Sequence, residues 1–463
     1  MRTVHKKNFI SGSLLKHVSS MLVTSSVSMI FFYFVDFLAS FYLSKSSGTG
    51  SLAALGIAAS SQFLLTSISM GIHIGCSTLV SRSVGANDDR SAHSIAAAGI
   101  VLTCASSALC ISVFLMSVRW IFALLRIDDG VAEQAQQYLW VTAPANVFSG
   151  LGLLFSSLLR AHARPGFAMY AQISGPMAAA ALDPLLIWYL DLGLHGAALT
   201  FLLSRAITTM VGGWLLSSEG LLRIADLRRN SPLEPMGRLL RITVPIIVAN
   251  LSTPASMIYT SSAFAQFGSN AMAGATISDR IMQVAFSMLF IAPAAIGPII
   301  GQNFGAKNFE RTKLALFVAH LVLFAVAASI ALLLFALAGP IADLFDCQGE
   351  ARSIVIAFCR FGTFGWAIAS VYYTTIAAMN PLGYAPWTIL LSWLRSLAGV
   401  VLFAWIGART GTAENIIYMQ AVGSLVVAVA AGSLSWRLLR KLDVLRDAQV
   451  EVTPRDRVAV PAG

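Results

Sequence analysis

Three carboxylates stand inside long apolar runs of this 463-residue chain: Asp36, Asp183 and Asp279. An ionised side chain at the centre of a bilayer costs at least ~2.5–3.5 kcal/mol on insertion scales, so each acid has to face protein or water. Asp36 follows His17, and Asp183 follows Pro165, by nearly equal lengths of apolar chain. At the rise of an α-helix, both sit roughly 27–29 Å along their spans. Two carboxyls at one depth can share a cation, or hold one proton between them. A plainer role stays open for each. Asp36 can mark a helix end, although apolar sequence runs on from Phe37 to Leu43. Asp183 can serve the local break that Pro184 imposes by removing a backbone donor.

The third acid has basic company: Arg280, Arg360 and Arg395 also lie within apolar runs. Adjacent residues on a helix do not face one another, so Asp279 is expected to pair with Arg360 or Arg395 on another helix and not with Arg280. The four residues read either as a salt-bridge cluster fixing their part of the fold or as an anion-attracting wall of a substrate cavity. Arg205 is open to the same two readings, and His73 and His320 read as packing residues or proton relays. No Walker lysine motif, G-x-S-x-G or H-E-x-x-H is present. The expectation is therefore no enzyme, no cofactor and no metal site. The five cysteines are odd in number and mostly sit in apolar runs, which speaks against a disulfide framework.

The elements that must position these residues follow from composition. The chain is 57% apolar and 11% charged, with a mean hydropathy of +0.75. A soluble domain carries roughly 25% charged residues, so there is too little charge to coat a water-exposed surface. A soluble enzyme, a nucleic-acid reader and a disordered scaffold are excluded together. The net charge of +10 then reflects basic loops facing anionic lipid. Each crossing needs about 20 apolar residues, and the uncharged runs predict twelve helices: 18–43, 51–81, 94–118, 133–159, 165–190, 196–217, 242–267, 271–301, 314–342, 353–379, 386–407 and 415–436. The first is too long for a signal-peptide core and reads as a retained anchor. With the N-terminus inside, 22 of the 31 Lys and Arg fall on the cytoplasmic side and 5 on the outer side. Both termini are thus expected in the cytoplasm.

The chain also resembles itself. One constant shift lays Ala53 on Ala273, Ile57 on Ile277, Gly85 on Gly305 and Ala86 on Ala306. Six spans per half is an even number, so the halves share one orientation in the membrane. The expected organisation is a cytoplasmic N-terminus (1–17), an N-lobe of six helices (18–217), a cytoplasmic linker (218–241), a C-lobe of six helices (242–436) and a cytoplasmic tail (437–463). The predicted fold class is an all-α polytopic membrane protein, with two pseudo-symmetric six-helix lobes around a central cleft. Under the shift Asp36 falls on Ser256 and Asp183 on Phe403, which confines the paired acids to the N-lobe.

The residues at this point resemble the multidrug and toxic compound extrusion (MATE) family, and most nearly its DinF-like bacterial branch. The likeness rests on Phe34-Val-Asp36 with Ser51-Leu-Ala-Ala-Leu-Gly56, the duplicated Gly85-Ala86 and Gly305-Ala306, Leu159-Arg160-Ala161 and Leu182-Asp183-Pro184. It covers roughly residues 15 to 436. The resemblance implies a bacterial inner-membrane secondary transporter, a monomer in the lipid bilayer with no nucleic-acid partner. Its activity would be export of small organic, drug-like compounds in exchange for H+ or Na+, coupled through Asp36 and Asp183. Lipid-linked precursor flippases of the wider superfamily are the alternative. Two departures leave the ion open. The family's other branch has a coupling glutamate in its seventh span, and the residue standing there, counted from Pro245, is Thr253. The DinF-like branch often has asparagines where this chain has Ala179 and Ser156.

Overall fold

The computed structural model describes residues 8–46, 48–124, 129–222 and 233–452. The expected linker residues 223–232 and the tail beyond 452 lie outside them, as do the side chains of Ser51–Gly56. Among the described residues every regular element is helical. That is what a bilayer demands, because backbone N–H and C=O groups in hydrocarbon find partners only within a helix or a closed barrel.

Among the described residues nine helical runs are long and apolar enough to cross a membrane, and a bent pair, Ala132–Thr142 with Ala145–Ala161 at 51°, makes a tenth if it is one span. The two remaining predicted spans are helical as well. They are the helices Gly48–Gly85 and Pro165–Asp183, the latter followed by a π-helical turn, Pro184–Tyr189. The apolar content of Pro165–Asp183 is diluted by Gln172 and Pro176. Two further π-helical turns, Phe358–Gly362 and Arg395–Val401, interrupt the second half.

The chain divides into two compact units. Unit 1 holds Met21–Val80 and Asp88–Leu251; unit 2 holds Asn8–Ser20, Ser81–Asn87 and the chain from Ser252 onward. The first helix, Leu14–Ser46, therefore begins in unit 2 and continues in unit 1. Its lead-in is clasped inside unit 2. The Phe9 N–H donates to Gln302 Oε1 at 2.8 Å, and the Phe9 carbonyl accepts from Asn303 Nδ2 and from Arg311 at 3.2 Å.

Within unit 2 the duplicated Gly-Ala motif has a mechanical explanation. A Cβ on Gly85 would stand 2.0 Å from the Gln302 carbonyl oxygen, and one on Gly305 would stand 2.1 Å from that of Arg82. The two helix ends approach so closely that only glycine fits at either place. Each helix then closes identically. The N–H of Ala86 bonds to Arg82 O at 3.0 Å, and that of Ala306 to Gln302 O at 2.9 Å. Asn87 and Lys307 follow, both with positive φ, in the left-handed turn that ends a helix. The next residues cap the following helices, Asp88 accepting from the Ser91 N–H and Asn308 from the Arg311 N–H.

Candidate functional site

In unit 1, Asp36 sits past the middle of the first helix and is exposed, whereas Asp183 ends the helix that begins at Pro165 and is buried at 2% exposure. The break after Asp183 follows from Pro184, which has no N–H to continue the α-helical ladder. The two acids act on each other electrostatically, and Asp36 also acts on the Tyr138 hydroxyl and the Arg205 guanidinium. The two predicted acids thus lie within electrostatic reach of each other, and of a phenol and a cation from two other helices. The helix Gly193–Ser218 supplies Arg205, held with its guanidinium carbon 4.9 Å from both the Phe32 and Phe201 ring centres. It also supplies Thr200, whose buried hydroxyl is directed at Asp183 without closing a hydrogen bond of normal geometry.

Tyr138 and Thr200 carry no mark in the sequence, because both are ordinary residues of amphipathic or apolar helices. The available signal was Arg205: a guanidinium embedded in the half that holds both acids needs charge nearby. At the positions where the DinF-like branch often has asparagines, Ala179 is buried and apolar. Ser156 is fully buried with no hydrogen-bond partner for its Oγ. The chemistry available around the acids is therefore two carboxylates, a phenol, a hydroxyl and a guanidinium. That set can hold one monovalent cation or pass a proton.

Unit 2 departs from expectation. Asp279 and Arg280 lie on the helix Ser269–Ala285 and both are exposed. Among the described residues, Asp279 makes no ion pair within 4.0 Å with Arg360 or Arg395, and the charge that acts on it is that of Arg280. The expected interhelical pair is not formed. The other two arginines sit against aromatic groups instead. Arg395 lies over three aromatic rings, and Arg360 acts on Tyr418. Of the two histidines, His320 spends its Nδ1 on the Leu316 carbonyl of its own helix at 2.9 Å, while His73 is buried with Nδ1 unpartnered. The described residues contain no group of three or more His, Cys, Asp or Glu able to hold a metal ion.

An all-helical fold with many membrane-length spans, built from two halves related by a fixed shift, defines a polytopic membrane protein of transporter type. The family model MatE matches residues 25–185 and again 245–405, two stretches displaced by the same shift as the internal repeat. The chain belongs to the MatE family, the multidrug and toxic compound extrusion transporters. Over 414 residues it is 22% identical to the FAD transporter of Shewanella oneidensis, covering 86% of this chain and 89% of that one. It is 32% identical over 191 residues to an uncharacterised 21 kDa protein of Pseudomonas savastanoi, covering 41% of this chain and 63% of that protein's length. The fold matches the crystal structure of an Asp-to-Asn mutant of the Vibrio cholerae MATE transporter VcmN. That match has a TM-score of 0.88 at 20% identity and covers 92% of this chain and 97% of that one. The family match and the likenesses to the FAD transporter and to VcmN lie with transporters and do not favour the flippase alternative.

Proposed function

We propose that this chain is a secondary exporter of small organic compounds, driven by inward movement of H+ or Na+ through Asp36 and Asp183. The observation that carries the reading is that the two acids act on each other electrostatically inside one unit, with Tyr138 and Arg205 in the same field. Two neighbouring carboxylates, one of them buried, hold two full charges only at a cost, which favours uptake of a cation whenever the site meets water. A cation arriving from outside neutralises Asp36 and lets the first span repack around it; its loss to the cytoplasm resets the span. Export is the expected direction because the driving gradients point inward. The Shewanella relative is an FAD transporter, which supports a cargo that is organic and aromatic.

The protein is proposed to sit as a monomer in a bacterial inner membrane with both termini in the cytoplasm, as the 22 to 5 split of basic residues favours. Reporter fusions after Gly463 and within 218–241 should both read as cytoplasmic, and a periplasmic signal from either refutes the two-lobe topology. The coupling role is tested by driving export from proteoliposomes with a sodium gradient and, separately, with a pH gradient. One of the two should support export by the parent, and neither should by Asp36→Asn. Export by that variant at the parental rate would refute the assignment.

A further inference from the structure

Arg395 opens the third π-helical turn, a local geometry that recurs at functional sites. Its guanidinium carbon stands 5.6, 5.2 and 5.4 Å from the ring centres of Trp366, Tyr372 and Tyr373. The rings are themselves fixed. Buried Phe286 stacks on Trp366, and Phe290 meets Trp366 and Tyr373 edge-on at 5.7 and 5.6 Å. The Tyr372 hydroxyl is 2.9 Å from Ser392 Oγ. All of these residues belong to unit 2.

Ring faces offset part of the cost of embedding a guanidinium, but they leave its planar fork of five N–H donors to find acceptors elsewhere. Among the described residues Arg395 makes no ion pair within 4.0 Å and no side-chain hydrogen bond. Two hydroxyls on the same elements are buried without partners. They are Ser396 Oγ, next to Arg395, and Ser370 Oγ, one turn beyond Trp366. A half-buried cation with unused donors, set among aromatic surfaces, is complementary to a planar ring system bearing a carboxylate or phosphate. The repeat shows that this cluster is not inherited scaffold. Trp366, Tyr372 and Arg395 fall on Asn146, Gly152 and Gly175 in the first half.

We propose that Arg395, with Trp366, Tyr372 and Tyr373, is the cargo subsite that takes the acidic group of an aromatic anion. The proposal rests on the export reading above and names its cargo class, which differs in charge from a lipophilic cation.

The test uses the full chain in detergent, titrated with two dyes on one xanthene frame: fluorescein, an anion, and rhodamine 123, a cation. The parent should bind fluorescein at least about tenfold more tightly. Arg395→Gln should weaken fluorescein by about 10- to 100-fold and change rhodamine 123 by less than about threefold. Arg395→Lys should recover only part of the loss, because lysine keeps the charge without the fork. A parent that binds both dyes equally, or prefers rhodamine 123, overturns the proposal, as does an Arg395→Gln variant that weakens both alike. Should Arg395→Gln fail to fold, the dye preference of the parent decides alone. Binding is read without an ion gradient, so failure of the export reading is a separate result: a chain that selects fluorescein yet moves neither dye would refute export and leave the subsite standing.

Discussion

Residues 36 and 183 are aspartates in the first repeat, and the equivalent positions of the second hold Ser256 and Phe403. In the second repeat Arg395 lies among three rings, where the first repeat has Gly175 in place of the arginine and Asn146, Gly152 and Leu153 in place of the rings. Yet the helix ends at Gly85 and Gly305, the left-handed Asn87 and Lys307, and the caps at Asp88 and Asn308 match almost atom for atom. The difference separates what the duplication preserved from what it released. Close backbone approach and helix termination tolerate few residues, so both copies keep them. The polar chemistry of each lobe is carried by single side chains, and these have diverged into an acid pair on one side and an arginine–aromatic cluster on the other.

The largest effect expected from this asymmetry is at Asp36. Asn keeps the size and hydrogen bonding of the side chain while removing its charge, so Asp36→Asn should reach the membrane at parental levels and lose the resistance conferred by the parent. Installing the missing acid in the other repeat, Asp36→Asn with Ser256→Asp, should not restore it. Growth on inhibitory compounds at matched expression reads both; rescue by Ser256→Asp would show the two halves to be interchangeable and the coupling not confined to the first.

The shared scaffold predicts symmetric damage. Gly85→Val and Gly305→Val each force a side chain against a carbonyl that would lie 2.0 or 2.1 Å from a Cβ. Overpacking of this kind costs about 1–3 kcal/mol or more, and the two variants should lose thermal stability in detergent by similar amounts. A large loss from one and none from the other would break the equivalence of the two turns.

The smallest effect is expected at Asp279. Removing one partner of a buried ion pair costs about 3–5 kcal/mol, but Asp279 is exposed and pairs with neither Arg360 nor Arg395. Asp279→Asn should therefore shift stability by no more than about 0.5 kcal/mol. A drop of several kcal/mol in thermal unfolding would reinstate the interhelical pair.

The repeat and its Gly-Ala turns were legible in the sequence, and Asp36 and Asp183 were legible as candidates, because repeats and intramembrane charges stand out against an apolar background. The proline break after Asp183 was legible for the same kind of reason: Pro184 acts locally on the backbone. The companions Tyr138 and Thr200 were not, since a tyrosine or threonine in an apolar helix has no reason in its own neighbourhood to be singled out. Arg395 reads along the chain as half of a salt bridge, and in the fold it is not. Its partners Trp366, Tyr372 and Tyr373 come from another helix, and charge arithmetic counts carboxylates while overlooking ring faces as partners for a guanidinium.

On the proposals made above, coupling belongs to the first half and cargo recognition to the second. Proteoliposomes holding the parent, Asp36→Asn or Arg395→Gln test it in one measurement: fluorescein and rhodamine 123 export under an imposed ion gradient and without one. Asp36→Asn should abolish gradient-driven movement of either dye while still binding fluorescein. Arg395→Gln should keep its response to the gradient and lose its preference for fluorescein. Gradient-driven export surviving in Asp36→Asn, or lost in Arg395→Gln with dye preference intact, would contradict this division.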